Sequence, residues 1–124
     1  MLKIKISPSS VALIASLFDT LTARTIHKSL PIESTAQTWG DEVYFEVPID
    51  AEPEANAKEV VEPGEIAFWV EGRCVAIGIG RTPVSQSNEI RLAARVNILA
   101  ITSHDVKKMS AVRSGQTIRI EKRE

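Results

Sequence analysis

The chain has 124 residues, with 15 Lys or Arg against 16 Asp or Glu and a formal charge of −1. That length suits one domain, residues 1–124, burying roughly two-thirds of its unfolded surface, and the balanced charge projects no field to draw in nucleic acid or anionic lipid. A lone cysteine, Cys74, excludes an internal disulfide framework and fits a reducing cytoplasm, and no stretch approaches the roughly 20 apolar residues of a membrane-spanning helix.

Leu2-Lys3-Ile4-Lys5-Ile6 alternates with period two, which predicts a strand. Lys3 and Lys5 ahead of Val11–Ala15 faintly resemble a secretory signal, but the alternation, Pro8 and the early Asp19 favour a strand. Residues 11–18 form the second strand after a Ser7-Pro8-Ser9-Ser10 turn. Asp19 or Thr20 then caps a helix by accepting from its first free N–H groups. Thr22, Ile26 and Leu30, with Ala23, make its apolar stripe, and Pro31 ends it.

Residues 33–39 are the next strand, and Gly40-Asp41 has the Gly-X pattern of a tight type II′ hairpin turn. Residues 42–47 return with two chemically different faces, Val43, Phe45 and Val47 on one, Glu42, Tyr44 and Glu46 on the other. Thr38–Pro48 therefore concentrates three aromatic residues and several acids in eleven positions. Residues 48–63 carry Pro48, Pro53, Pro63 and five acids and read as a long surface connection.

Residues 65–70 and 73–79 form a hairpin about Glu71-Gly72, its second strand apolar enough to be buried on both faces. Cys74 lies in that run and reads as a small buried hydrophobe. Residues 81–94 are rich in turn formers, and residues 95–102 return as a strand. Ser103 or Asp105 opens a second helix with Val106, Met109 and Val112 inward, and Gly115 stands where a left-handed C-terminal cap is expected. Residues 116–122 are the last strand. Eight strands with two helices predict a mainly β fold closing as an antiparallel barrel with helices at its ends.

This order, together with Thr38–Phe45, Glu62–Trp69 and Gly80-Arg81-Thr82-Pro83-Val84-Ser85, resembles the cyclophilin-like barrel, and specifically the small prokaryotic cyclophilin-like proteins of unassigned function. The resemblance spans essentially the whole chain and implies a closed eight-stranded antiparallel barrel capped by two short helices. It also implies where isomerase chemistry would sit. Prolyl isomerisation crosses a barrier of roughly 18–20 kcal/mol set by amide resonance. Cyclophilins lower it with an arginine from the strand corresponding to residues 33–39 and an apolar proline pocket. Here that strand, Glu33–Trp39, has no arginine, and the next has Glu42, Tyr44 and Phe45 in place of the family's Phe-Met-x-Gln pattern. Arg73, Arg81, Arg91 and Arg95 are the substitutes another strand could offer.

The candidate ligand-binding residues are Trp39, Glu42, Tyr44, Phe68, Arg81 and Thr82. Trp39 and Tyr44 pair an apolar body with a polar handle. Phe45 and one of Phe68 or Trp69 belong to the core. Glu42 beside aromatic rings is expected to have a raised pKa and to act as a base or ligand acceptor, against the plainer reading of a solvated strand acid. Gly78-Ile79-Gly80-Arg81-Thr82-Pro83 fails as a phosphate loop, because no third glycine and no helix N-terminus follow. His27 and His104 lack a partner at metal-ligand spacing, so neither a metal nor a cofactor is expected. The expectation is a cytoplasmic binding module for a small molecule or peptide beside residues 38–45. The alternatives are an isomerase with a non-standard site and an oligomer interface at the aromatic strands.

Overall fold

The computed structural model describes residues 2–8 and 11–123. The turn expected at residues 7–10 falls partly on 9 and 10, outside the described residues, while Ser7 and Pro8 continue the first strand. Strands β1 (Lys3–Pro8) and β2 (Leu13–Leu17) pair antiparallel, and their alternation buries Ile4, Ile6, Leu13, Ala15 and Leu17. Helix α1 (Leu21–Ser29) is capped by Thr20, whose Oγ1 accepts from the Ala23 N–H at 3.1 Å. Its buried stripe is Thr22, Ala23 and Ile26.

The predicted strand 33–39 is two short strands, β3 (Ile32–Thr35) and β4 (Gln37–Trp39), separated at Ala36. They are followed by β5 (Glu42–Glu46), β6 (Lys58–Val61), β7 (Glu65–Trp69), β8 (Cys74–Gly78) and β9 (Ile90–Ile101). A 3₁₀ helix (Val106–Ala111), capped by the Asp105 side chain, precedes β10 (Thr117–Arg123). The strand order is β3-β10-β1-β2-β9-β7-β8-β5-β4, with β6 joined to β9.

The two ends of that order are the two halves of one segment. β3 pairs with β10 and β4 with β5, so residues 32–39 carry the sheet back onto itself and nearly close a barrel. At the seam the Ala36 N–H donates to the Gln116 carbonyl at 2.8 Å, and the Gly115 N–H donates to the Ala36 carbonyl at 2.9 Å. Gly115 has φ +95° but lies beyond the 3₁₀ helix, whose C-cap is Val112. It therefore shapes the turn into β10 and is not the helix cap predicted.

Phe45, Phe68, Ile77, Leu99, Met109, Ile118 and Ile120 fill the barrel with the inward residues of β1 and β2. A second apolar cluster, Val61, Ala67, Ala76, Ile90, Leu92, Val96 and Ile98, lies against Phe18, Tyr44 and Trp69. It forms because β6 and the first half of β9 make a ribbon packed on the outer faces of β7 and β8. This explains the full burial of β8, expected from its sequence. It also accounts for two differences from the sequence reading: β6 lies inside the predicted 48–63 connection, and β9 begins at Ile90 rather than near 95.

Candidate functional site

The β4–β5 hairpin turns through Gly40-Asp41, with Gly40 at the positive φ (+58°) such a turn demands. The turn is fastened to the chain leaving β8. The Asp41 N–H donates to the Arg81 carbonyl at 2.9 Å, and the Asp41 carbonyl accepts from Ile79 and Gly80 at 2.7 and 3.1 Å. A Cβ on Gly40 would stand 2.9 Å from Pro83 Cδ, so close packing as well as φ requires glycine there.

Along β5, alternation sends Val43 and Phe45 into the barrel and Glu42, Tyr44 and Glu46 to its outside. Across the sheet Tyr44 stands opposite Ala76, which stands opposite Ala67. These small residues leave a shallow floor. The wall comes from β9, where the register between Lys58↔Val96 and Val60↔Arg91 leaves four residues of β9 opposite one of β6. The surplus chain bulges out and carries Leu92, Ala93 and Ala94 over the floor.

Together Trp39, Glu42, Tyr44, Trp69, Ala76, Leu92, Ala93, Ala94 and Val96 line a cavity of about 320 Å³. Glu42 is its only charged residue. It is 8% exposed, and its carboxylate has no hydrogen bond or ion pair among the described residues. Burial raises its pKa from 4.5 to about 7. Glu46, two residues on, is exposed. The Cys74 thiol is pushed up by burial and then by Glu46 and Glu42, and its S–H donates to the Gly72 carbonyl at 3.2 Å. A thiol held in this protonated state is a packing group.

The structure thus brings Trp39, Glu42 and Tyr44 to one cavity and places the other candidates elsewhere. Phe68 is fully buried inside the barrel, so its period-two neighbour Trp69 takes the outward place. Arg81 is exposed and its guanidinium donates to the Ser85 carbonyl at 3.3 Å. Thr82 is buried; its hydroxyl donates to the Arg91 carbonyl and its N–H to Ser85 Oγ at 2.9 Å, which fixes the 81–91 loop. Neither residue lines the cavity. The remaining arginines are held away as well: Arg73 pairs with Asp50 at 2.8 Å, Arg91 with Glu89 and Glu59 at 2.5 and 3.0 Å, and Arg95 donates to the Ala57 carbonyl.

Among the described residues no group of three or more His, Cys, Asp or Glu is placed to hold a metal, and no helix is long and apolar enough to cross a membrane. Sequence reasoning missed Trp69, Ala76, Val96 and the Leu92–Ala94 bulge. Parity with Phe68 is a usable signal for Trp69. The bulge has none, since its residues are small and apolar within a segment dominated by turn formers.

A family model described as Cyclophilin-like matches residues 2–121. The solution structure of the hypothetical protein AF2241 from Archaeoglobus fulgidus is 33% identical, with a TM-score of 0.85 over 98% of this chain and 95% of that one. The structure of McbB in complex with tryptophan is similar in fold only, at 13% identity and a TM-score of 0.64 over 95% of this chain and 44% of that one. No curated protein matches the chain.

Proposed function

The chain belongs to the cyclophilin-like family, and from the cavity on its barrel's outer face we propose that it is a binding module for a small molecule. The observation that carries this reading is the cavity itself. Its volume of about 320 Å³ lies at the lower end of ligand pockets, roughly 300–1,000 Å³. It also has their composition, an apolar and aromatic lining with few polar groups to orient the occupant. The indole N–H groups of Trp39 and Trp69 and the Tyr44 hydroxyl have no hydrogen-bond partner among the described residues, which leaves three polar handles available to a ligand.

A plain core cluster is the competing account. It predicts side chains that fill their own space, whereas Ala76, Ala93 and Ala94 leave it open. No observation favours prolyl isomerisation, since no arginine lines the cavity. A protein-observed NMR screen of small aromatic and amine fragments against the labelled protein tests the proposal. Hits are expected to shift the Trp39 and Trp69 indole resonances, and Ala76→Leu, which fills the floor, should abolish them while the remaining amide spectrum persists. A screen without hits, or hits indifferent to Ala76→Leu, would overturn it.

A further inference from the structure

Resting on that reading of the cavity, we infer that its ligand is a small organic cation, an ammonium with an apolar body, held between Trp39, Tyr44 and Trp69 with Glu42 as counter-charge. Three features of the geometry converge on this class.

The first is the number and kind of rings. Two indoles and a phenol line one small cavity, and an aromatic face attracts a cation through its quadrupole, indole most strongly. The second is the positioning of Trp69. A Cβ built on Gly72 would lie 2.2 Å from its Cε3 and Cζ3, so the indole rests flat against the β7–β8 turn. A ring seated in this way loses little freedom when a ligand arrives.

The third is the isolated carboxylate. A buried acid normally has a hydrogen-bond or charge partner. Glu42 has none, and the rest of the lining is aromatic or aliphatic. The ionisable groups near it are Asp41, Tyr44 and Glu46 on its own hairpin, Cys74 on β8, and Arg113, which borders a separate shallow pocket with Glu42 but makes no ion pair with it among the described residues. β9 contributes only Leu92, Ala93, Ala94 and Val96. An ammonium would complete the site, neutralising the carboxylate while its alkyl groups fill the space the alanines leave. An anionic ligand would meet like charge. A neutral apolar one would leave the carboxylate with no partner.

Choline and its uncharged isostere 3,3-dimethyl-1-butanol have nearly the same shape, so comparing them isolates the charge. Both are titrated by chemical shift into the wild-type protein and Glu42→Gln, at about pH 5 and about pH 8. The expected result at the higher pH is choline binding about tenfold or more tighter than the alcohol. Glu42→Gln should remove most of that preference, and in the wild type the preference should fall at the lower pH, where Glu42 is protonated. Equal or tighter binding of the alcohol would overturn the cation class and leave the binding-module reading standing. A choline preference that survives in Glu42→Gln would overturn the counter-charge. Failure of both probes overturns the cation class, and the fragment screen then decides separately whether the cavity binds anything.

Discussion

Glu42 carries an energetic cost whose sign can be fixed. Its folded pKa of about 7 exceeds the ordinary 4.5, so the native state holds its proton more tightly than the unfolded chain. The native state is therefore favoured fully below about pH 4.5, and that advantage is lost as pH rises through about 7. The gap corresponds to about 3 kcal/mol at most. Glu42→Gln has no such proton to lose. Urea denaturation should show the variant more stable than wild type by up to about 3 kcal/mol at about pH 8, with the difference vanishing near pH 4. Parallel pH profiles for the two proteins would show that the carboxylate is solvated after all. Period-two alternation is enough to put Glu42 and Tyr44 on one face with Val43 and Phe45 on the other. The depth of Glu42's burial, unlike Glu46's exposure, is not local information, because the chain that covers it lies about fifty residues downstream.

The elements that make the site are a bulge and a turn, both defined by departures from regular pairing. β6 is hard to see in sequence because Lys58-Glu59-Val60-Val61 follows a stretch of prolines and acids and owes its strand state to pairing with β9. The start of β9 is masked in the same way by the turn formers of residues 81–89. The hairpins are legible because Gly40-Asp41 and Glu71-Gly72 sit between strand-like runs, alternating after the first turn and almost wholly apolar after the second. Gly72 does more than turn the chain, since it leaves the space into which the Trp69 ring lies. Gly72→Ala forces the ring to move, and because the ring is the free end of a side chain it can swing toward the cavity at a cost of about 1–2 kcal/mol. The Trp69 indole resonance should then shift strongly while that of Trp39 moves less, and ligands found for the wild type should weaken. An unmoved Trp69 signal would mean that the turn backbone yields instead of the ring.

At the scale of the whole molecule, the counts of strands and helices were enough to indicate a barrel, since so many strands in a short chain favour closing a sheet over leaving exposed edges. How the sheet closes was not legible. Residues 33–39 read as one strand, and nothing in their pattern says that one half pairs with β10 and the other with β5. The switch occurs at Ala36, which is fully buried and small enough to cross the core's edge. Closure there also fixes the site, because β4 holds Trp39 at one end of the segment whose other end is anchored by β3 on β10. Ala36→Pro tests this coupling. Proline removes the N–H that donates to the Gln116 carbonyl and leaves that acceptor without its partner, a loss of about 1–3 kcal/mol. The expected result is a lower urea midpoint together with faster hydrogen exchange at β3, β4 and the C-terminal half of the seam, while β1, β2, β7 and β8 keep their protection. If stability falls but exchange rises uniformly, the barrel opens as one unit and the seam is no weaker than the rest. If neither changes, the seam contributes nothing to holding the barrel closed, and the position of Trp39 must be set by the β4–β5 hairpin alone.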